Sequence, residues 1–303
     1  MNKLVFAPLS NKVKAVIRFG LMIKYPDQFL TVRVQELLGN PEIVTLCAGF
    51  QGQKWRSEQF AEDLMQWLPY AALSQEDQLA FGMHNYREFI SRAAFHVYSK
   101  KDESRGEVGE LLLHQACIQY HNASPVICKL LLKTSPNDVV KGFDGVFVVP
   151  TVDDFEIWLG EAKFYSSAGD AVTAAIKSIK DHFLDSFINA EKAMIIGHIT
   201  KDTPFYDDLI KIFRSQTSAD ELFKKAVFPV LITYESKAVK AVTEITEAFK
   251  LGLQSEATEI SSKFAGFLKT KKIKIQLILV PLWEKKLLLD AFDKRLGSHI
   301  VGP

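Results

Sequence analysis

A short stretch near the middle of the chain decides the fold: residues 143–164 read FDGVFVVPTVDDFEIWLGEAKF. Apolar, β-branched and aromatic residues dominate its two ends, and the turn-forming segment 150–155 separates them. Alternation of this kind around a short polar connection is typical of a β-hairpin. The pattern therefore predicts two antiparallel strands, at 139–149 and 155–164.

The predicted hairpin has a register that brings acidic side chains together. If its centre lies between Val152 and Asp153, Asp144 is opposite Glu161, and opposed residues share one face with Cβ atoms about 4.5–5.5 Å apart. Lys163 is two residues from Glu161, so period-two alternation places it on that face too. Charged groups within apolar strands are costly unless they are paired or bound to a metal. The sequence thus predicts a compact Asp/Glu/Lys cluster.

A helix predicted at 107–122 can add to this cluster. It is apolar on most sides, and its polar residues Glu107, Glu110, His114 and His121 fall on one narrow stripe. If the helix packs beside the hairpin, Glu110 supplies a third carboxylate. His114 is either a neighbour of the site or a buried histidine that serves packing.

Carboxylates with a nearby lysine suit the hydrolysis of a phosphodiester with the help of a hard cation. Mg²⁺ takes oxygen ligands, so Asp144 and Glu161 are the predicted metal ligands, with Glu110 joining directly or through water. Mn²⁺ is expected to substitute for Mg²⁺. The ammonium group of Lys163 can orient the nucleophile or offset charge on the phosphate. Two lysines that flank the strands, Lys133 and Lys141, either contact phosphate or are solvated strand ends.

The remaining pattern completes an α/β protein with a mixed central sheet flanked by helices. A strand at 126–133, a long helix at 168–190 and a strand at 193–199 give the order αβββαβ around the hairpin. The C-terminal part alternates between predicted helices and strands: helices at 205–214, 218–226, 236–250, 255–269 and 284–296, and strands at 227–234 and 273–282. A polar connector at 100–105 divides the 303 residues into a mostly helical N-terminal region (1–100) and a nuclease domain with a C-terminal α/β extension (101–303).

Composition limits the function further. The formal net charge of +1 means that any polyanion site must be local. The three cysteines form no metal-binding pair, and with no secretory pattern they favour reduced thiols and a cytoplasmic location. No apolar run is long enough to predict a membrane span. The chain carries no Walker motif, so no use of ATP by this chain is expected.

The order of elements and acidic residues resembles the PD-(D/E)xK nuclease superfamily, whose core is αβββαβ. Three segments (105–114, 133–146 and 160–165) resemble, more narrowly, the HamA nuclease subunit of the Hachiman anti-phage defence system. The resemblance is dense over 105–190. It implies that Asp144, Glu161 and Lys163 are catalytic and that the helix glutamate is Glu110, with Glu107 as the alternative. It also implies a DNA nuclease that a superfamily 2 helicase partner restrains until DNA is sensed. By elimination, residues 1–100 and the C-terminal helices are the predicted partner surface.

Two other functions stay open at this point. The chain can be a non-catalytic subunit that keeps the fold as a scaffold and regulates a helicase or a DNA-binding partner. It can also hydrolyse a phosphate ester other than DNA, such as RNA, with the same metal chemistry. The complete Asp/Glu/Lys set favours a catalyst over a scaffold, because a scaffold has no physical need for opposed carboxylates.

Overall fold

The computed structural model describes residues 23–97, 105–132, 142–270 and 273–300. Within these residues, seven strands form one central sheet, and they are β1 (Thr31–Glu36), β2 (Glu42–Cys47), β5 (Ser124–Cys128), β6 (Gly145–Pro150), β7 (Phe155–Phe164), β8 (Ala226–Glu235) and β9 (Lys274–Leu282). Two shorter strands, β3 (Phe50–Gln51) and β4 (Lys54–Trp55), pair separately. A short 3-10 helix, Lys129–Leu132, directly follows β5.

The spatial order of the sheet is β1-β2-β9-β8-β7-β6-β5. The three central pairs, β2 with β9, β9 with β8 and β8 with β7, are parallel, whereas the pairs at both edges are antiparallel. The central strands β8 and β9 are buried along almost their whole length, as expected for parallel strands that are covered on both faces. The predicted mixed α/β sheet is confirmed.

The described residues contain twelve α-helices around this sheet. They are α1 (Ser57–Ala72), α2 (Gln75–Ala80), α3 (Tyr86–Val97), α4 (Gly106–His121), α5 (Ala168–His182), α6 (Asp185–Ile196), α7 (Tyr206–Phe213), α8 (Ala219–Lys225), α9 (Lys237–Lys240), α10 (Glu247–Ser262), α11 (Ala265–Leu268) and α12 (Lys285–His299). Among these, α4 and α5 both pack on β7 and β8, while α1 packs against α12 and α4. The two helices on β7 therefore define the surroundings of the predicted cluster.

Helix α4 lies close to the sheet because small residues face it. A Cβ atom on Gly160 would lie 2.8 Å from Leu113 Cδ2, and one on Gly109 would lie 3.1 Å from Phe164 Cβ. Gly160, Ala162 and Phe164 alternate along β7, so they present one face of the strand to α4. Glu161 and Lys163 consequently point to the other face, where α5 packs.

Two sequence predictions after β7 are wrong. The helix expected at 168–190 is interrupted, because Phe183 packs on Phe223 (ring centroids 4.6 Å apart) while Phe187 packs on Phe143 (5.7 Å). The strand expected at 193–199 is mostly the end of α6, whose apolar run buries one helical stripe that includes Ile188 and Ile195. A short apolar run fits either structure by periodicity alone. The last strand of the αβββαβ order is therefore β8.

The described part of the first hundred residues contains more helix than strand, but it also contributes to the central sheet. It supplies β1 and β2, and β2 joins the common sheet by pairing in parallel with β9. The polar connector at 100–105, most of which lies outside the described residues, thus does not separate two sheets.

Further along the chain, the helix boundary predicted between 250 and 255 falls instead at Thr246, whose hydroxyl accepts a hydrogen bond from the Phe249 N–H and caps α10.

None of the helices in the described parts of the chain combines the length and the apolar character that crossing a membrane requires. The three cysteines, Cys47, Cys117 and Cys128, are all buried as free thiols.

Candidate active site

The β6–β7 hairpin has the predicted register. Gly145 lies opposite Gly160 and Pro150 opposite Phe155, and the pairing continues one residue further through a 2.9 Å hydrogen bond from the Asp144 N–H to the Gly160 carbonyl. The carboxylate of Asp144 is fixed as well, because its Oδ2 accepts the Ala162 N–H at 2.8 Å. Asp144 therefore lies beside Glu161, as predicted.

Glu161 and Lys163 form an ion pair in which Lys163 Nζ donates to Glu161 Oε1. The Ser178 side chain also hydrogen-bonds to Glu161, and His182 Nε2 lies 3.6 Å from Glu161 Oε2. Both of these residues belong to α5, one helical turn apart. The helix thus orients the Glu161 carboxylate from the side opposite to α4.

Lys129 is a member of the site that the sequence analysis missed. Cys128 pairs with Gly145 at the end of β5, so the next residue, Lys129, lies opposite Asp144, to whose carbonyl it donates its N–H at 3.1 Å. Its side chain reaches Asp144 too, with Nζ 2.9 Å from Oδ1. Lys129 directly follows β5, Asp144 directly precedes β6 and Glu161 lies on β7. The three residues therefore form one row, which we call the charged row.

Glu110 reaches the charged row through Lys129. Its Oε1 lies 3.9 Å from Lys129 Nζ, and the glutamate is buried on α4. Glu107 lies one turn earlier on the same helix and is half-buried. Glu110, the preferred one of the two predicted glutamates, therefore contacts the charged row.

Among the other residues predicted near the site, the structure describes His114. His114 is buried against the ring of Phe147, 5.8 Å between centroids, and lines a cavity of about 340 Å³ together with Tyr70 and residues of β5. Burial lowers the pKa of His114 to about 4, so the imidazole is neutral at physiological pH. Lys133 and Lys141 lie outside the described residues.

The segment that carries Asp144 is held by Glu191 of α6. The buried Glu191 carboxylate accepts the Phe143 N–H at 3.1 Å through Oε2. Gly142 has a φ of +141°, and a Cβ atom there would lie 2.7 Å from Glu191 Oε1. The chain therefore needs glycine at 142 both for the backbone conformation and for the close approach of Glu191.

The electrostatics of the charged row follow from burial and from neighbouring charges. Burial, and then repulsion by Asp144, raises the pKa of Glu161 to about 7, although Lys163 and Ser178 oppose the shift. Burial works against the charged form of Lys129, but Asp144 and Glu110 attract the ammonium group and raise its pKa above the ordinary value. Burial lowers the pKa of His182 to about 4. Near neutral pH, Lys129 is thus charged and His182 is neutral.

The oxygen donors of the site suit a hard cation for which the protein supplies only some of the ligands. Across the described residues, no group of three or more His, Cys, Asp or Glu side chains is arranged to hold a metal ion by itself. Mg²⁺, however, is usually bound through one or two carboxylates together with water and substrate phosphates. The buried, adjacent carboxylates of Asp144 and Glu161 supply oxygen donors of the preferred type.

The fold and the charged row define the class: an α/β protein whose mixed sheet carries a buried Asp/Glu/Lys cluster between two helices. The sequence profile of the HamA family matches residues 23–296, so the chain belongs to the HamA family. Anti-bacteriophage protein A of Escherichia coli (strain K12) is 20% identical over 239 residues, which are 74% of this chain and 43% of that protein. The chain thus spans less than half the length of this relative.

Proposed function

We propose that the chain is a metal-dependent nuclease that cleaves DNA in defence against bacteriophage. The observation that supports this most strongly is the convergence of Asp144, Glu161 and Lys163 within one buried cluster. Membership of the HamA family and the name of the Escherichia coli relative support the role in defence.

In this proposal Asp144 and Glu161 hold Mg²⁺, and Mn²⁺ can replace it. A divalent ion bound there supplies a Lewis acid for a phosphate oxygen and lowers the pKa of water. Glu110 acts from the α4 side, where it contacts Lys129. Two carboxylates that bind a divalent ion, together with a lysine, can hydrolyse a phosphodiester, and we therefore prefer a nuclease as the function of this cluster.

The residues of the chain have separate tasks in this site. Glu161 orients the Lys163 ammonium group, which then faces the phosphate and offsets the charge that develops on its oxygens. The neutral imidazole of His182 stands against Glu161 Oε2 and limits the rotation of the carboxylate. The Ala162 N–H fixes Asp144. Preorganisation of this kind lowers the cost of assembling charges during the reaction.

The partner in this proposal is a superfamily 2 helicase that restrains the nuclease until DNA is sensed in the cytoplasm. The first hundred residues are the proposed partner surface. Six of the eleven exposed large hydrophobic residues in the described chain belong to this region, and Leu38 and Met83 are 98% and 100% exposed. Exposed apolar side chains such as these can supply the contact area of a protein interaction site, which is why we place the partner on this region.

The alternative is a scaffold that keeps the nuclease fold without catalysis. The burial of Glu110, Asp144 and Glu161 speaks against it, because desolvated carboxylates cost stability that apolar residues of similar size would not. A scaffold gains nothing in return for that cost.

Cleavage of supercoiled plasmid DNA tests the proposal. The purified chain is incubated with Mg²⁺ or with EDTA, alone and with the helicase, ATP and DNA, beside the double variant Glu161→Ala/Lys163→Ala. We expect cleavage that requires Mg²⁺ and is lost in the variant, whose circular dichroism spectrum stays that of the wild type. If the wild-type chain cleaves neither DNA nor RNA, even in the presence of the helicase, ATP and DNA, the result would support the scaffold.

A further inference from the structure

Lys129 lies between two of the three carboxylates of the site. Its Nζ is 2.9 Å from Asp144 Oδ1 and 3.9 Å from Glu110 Oε1, and its side chain is 17% exposed. The backbone N–H of the same residue is bonded to the Asp144 carbonyl. Main chain and side chain together therefore fix the ammonium group at this position.

This position divides the acidic groups of the site into two sets. A cation that bridged Glu110 and Asp144 would compete with Lys129 Nζ for the same oxygen atoms. The space between Asp144 and Glu161 is different, because Lys163 binds Glu161 Oε1 from further along β7. Carboxylate oxygens carry two lone pairs each, so both groups can still accept a cation between them.

We propose that the Lys129 ammonium group takes the place of a second divalent cation, so that the site binds one such ion, held by Asp144 and Glu161. The inference rests on the proposed function and refines it. It assigns to Lys129 a part in the site that neither the family match nor the relative specifies.

The balance of charge agrees with one ion. Among the described residues, three carboxyl groups, Glu110, Asp144 and Glu161, face two ammonium groups, Lys129 and Lys163. When all three carboxyl groups are ionised, as binding of a cation favours, one negative charge remains. One divalent ion converts this to one positive charge, which matches a single phosphodiester. A second divalent ion would leave three positive charges within a few ångströms, and like charges in a buried site repel strongly.

Binding of Mn²⁺ to the full chain without nucleic acid tests the inference, by calorimetry and by electron paramagnetic resonance of the free ion. We expect one Mn²⁺ per chain for the wild type and for Lys129→Arg, which keeps the charge. Lys129→Gln is expected to bind two, and the additional substitution Glu110→Gln to abolish the second. Lys225→Gln is the matched control, because Lys225 pairs with Asp154 away from the site; it is expected to bind one.

The outcomes separate the inference from the proposed function. Two ions in the wild type, or one ion of unchanged affinity in a folded Lys129→Gln, overturns the inference and leaves a metal-dependent nuclease standing. If Lys129→Gln does not fold, Lys129→Met, which keeps an unbranched side chain without the charge, takes its place with the same expected result of two ions. Absence of Mn²⁺ binding in every protein removes the metal from the proposed function, and the inference fails with it.

Discussion

Burial raises the pKa of two carboxyl groups of this protein to a similar value, but only one of the two also has charged neighbours. Glu161 lies on β7 in the charged row, and Asp63 is buried on α1, where Gln115 Nε2 donates to its Oδ2 at 2.7 Å. The pKa of each is raised to about 7. For Asp63, burial is the cause and the Gln115 amide opposes it. For Glu161, burial and the negative charge of Asp144 both raise the pKa, whereas Lys163 lowers it.

The difference shows what distinguishes a candidate active site from a buried acid. A raised pKa marks functional sites only with moderate specificity, because structural groups are perturbed as well. Asp63 joins two helices through an amide, and the interactions that determine its pKa include no charged partner. Around Glu161, three carboxylates and two lysines meet. The convergence of opposite charges, rather than the size of the shift, supports a site for phosphate and metal.

The largest expected effect separates the two carboxyl groups by activity. Glu161→Gln and Asp63→Asn each replace a buried carboxyl by an amide of the same shape. We expect Glu161→Gln to lower the rate of plasmid cleavage at least about 100-fold, because it removes a metal ligand and the orientation of Lys163. Asp63→Asn is expected to stay within about twofold of the wild type. Equal losses in both variants would mean that buried carboxyls support the fold and not the chemistry.

A second prediction concerns stability and pH. Because both pKa values are raised, the folded chain holds these protons more tightly than the unfolded chain. Their contribution to stability is complete below the ordinary values of 4.5 for Glu161 and 3.8 for Asp63 and is lost as the pH rises to about 7. At 1.36 kcal/mol per pKa unit, the shift corresponds to about 3 kcal/mol for Glu161 and about 4 kcal/mol for Asp63.

Urea unfolding between pH 4.5 and 8 measures this contribution. In EDTA, the free energy of unfolding should fall less, or rise more, between pH 4.5 and 8 in Glu161→Gln and in Asp63→Asn than in the wild type, because each variant lacks one group whose contribution is lost as the pH rises. The buried histidines with lowered pKa values act in the opposite direction, but they are common to all three proteins. Mg²⁺ favours the ionised carboxylate of Glu161, so it should remove the contribution of Glu161 to the pH dependence of the free energy of unfolding of the wild type. The contribution of Asp63 should stay unchanged. If the free energy of unfolding of Glu161→Gln in EDTA changes with pH as that of the wild type does, the raised pKa of Glu161 is contradicted.

The sequence was sufficient for those parts of the site that depend on local pairing. The hairpin turn fixes the register of β6 and β7, so Asp144, Glu161 and Lys163 could be placed together without a structure. Lys129 could not, because β5 pairs with β6 through an irregularity between Pro125 and Ile127, and a one-residue shift reverses the face of every side chain. The signal that was available is a lysine within the apolar run at 126–132.

Long-range pairing explains other features of the fold that the sequence did not indicate. Strand β2 joins the sheet only through β9, which lies more than two hundred residues later, so the first hundred residues looked like a separate region. The apolar run at 193–199 has no feature that distinguishes a strand from the end of a helix. Glu191 was missed for a similar reason, since its role depends on how α6 packs against the segment before Asp144.

Glu191 is the basis of the smallest expected effect, because it acts on the charged row only through the backbone of Phe143. Glu191→Ala removes the acceptor of a buried N–H and should lower the free energy of unfolding by about 1–3 kcal/mol. It should also raise the Mg²⁺ concentration for half-maximal cleavage several-fold, because Asp144 loses part of its support. Glu191→Gln keeps an acceptor oxygen and should restore most of both quantities. A loss of stability with an unchanged Mg²⁺ requirement would show that Glu191 supports the fold alone, as Asp63 does.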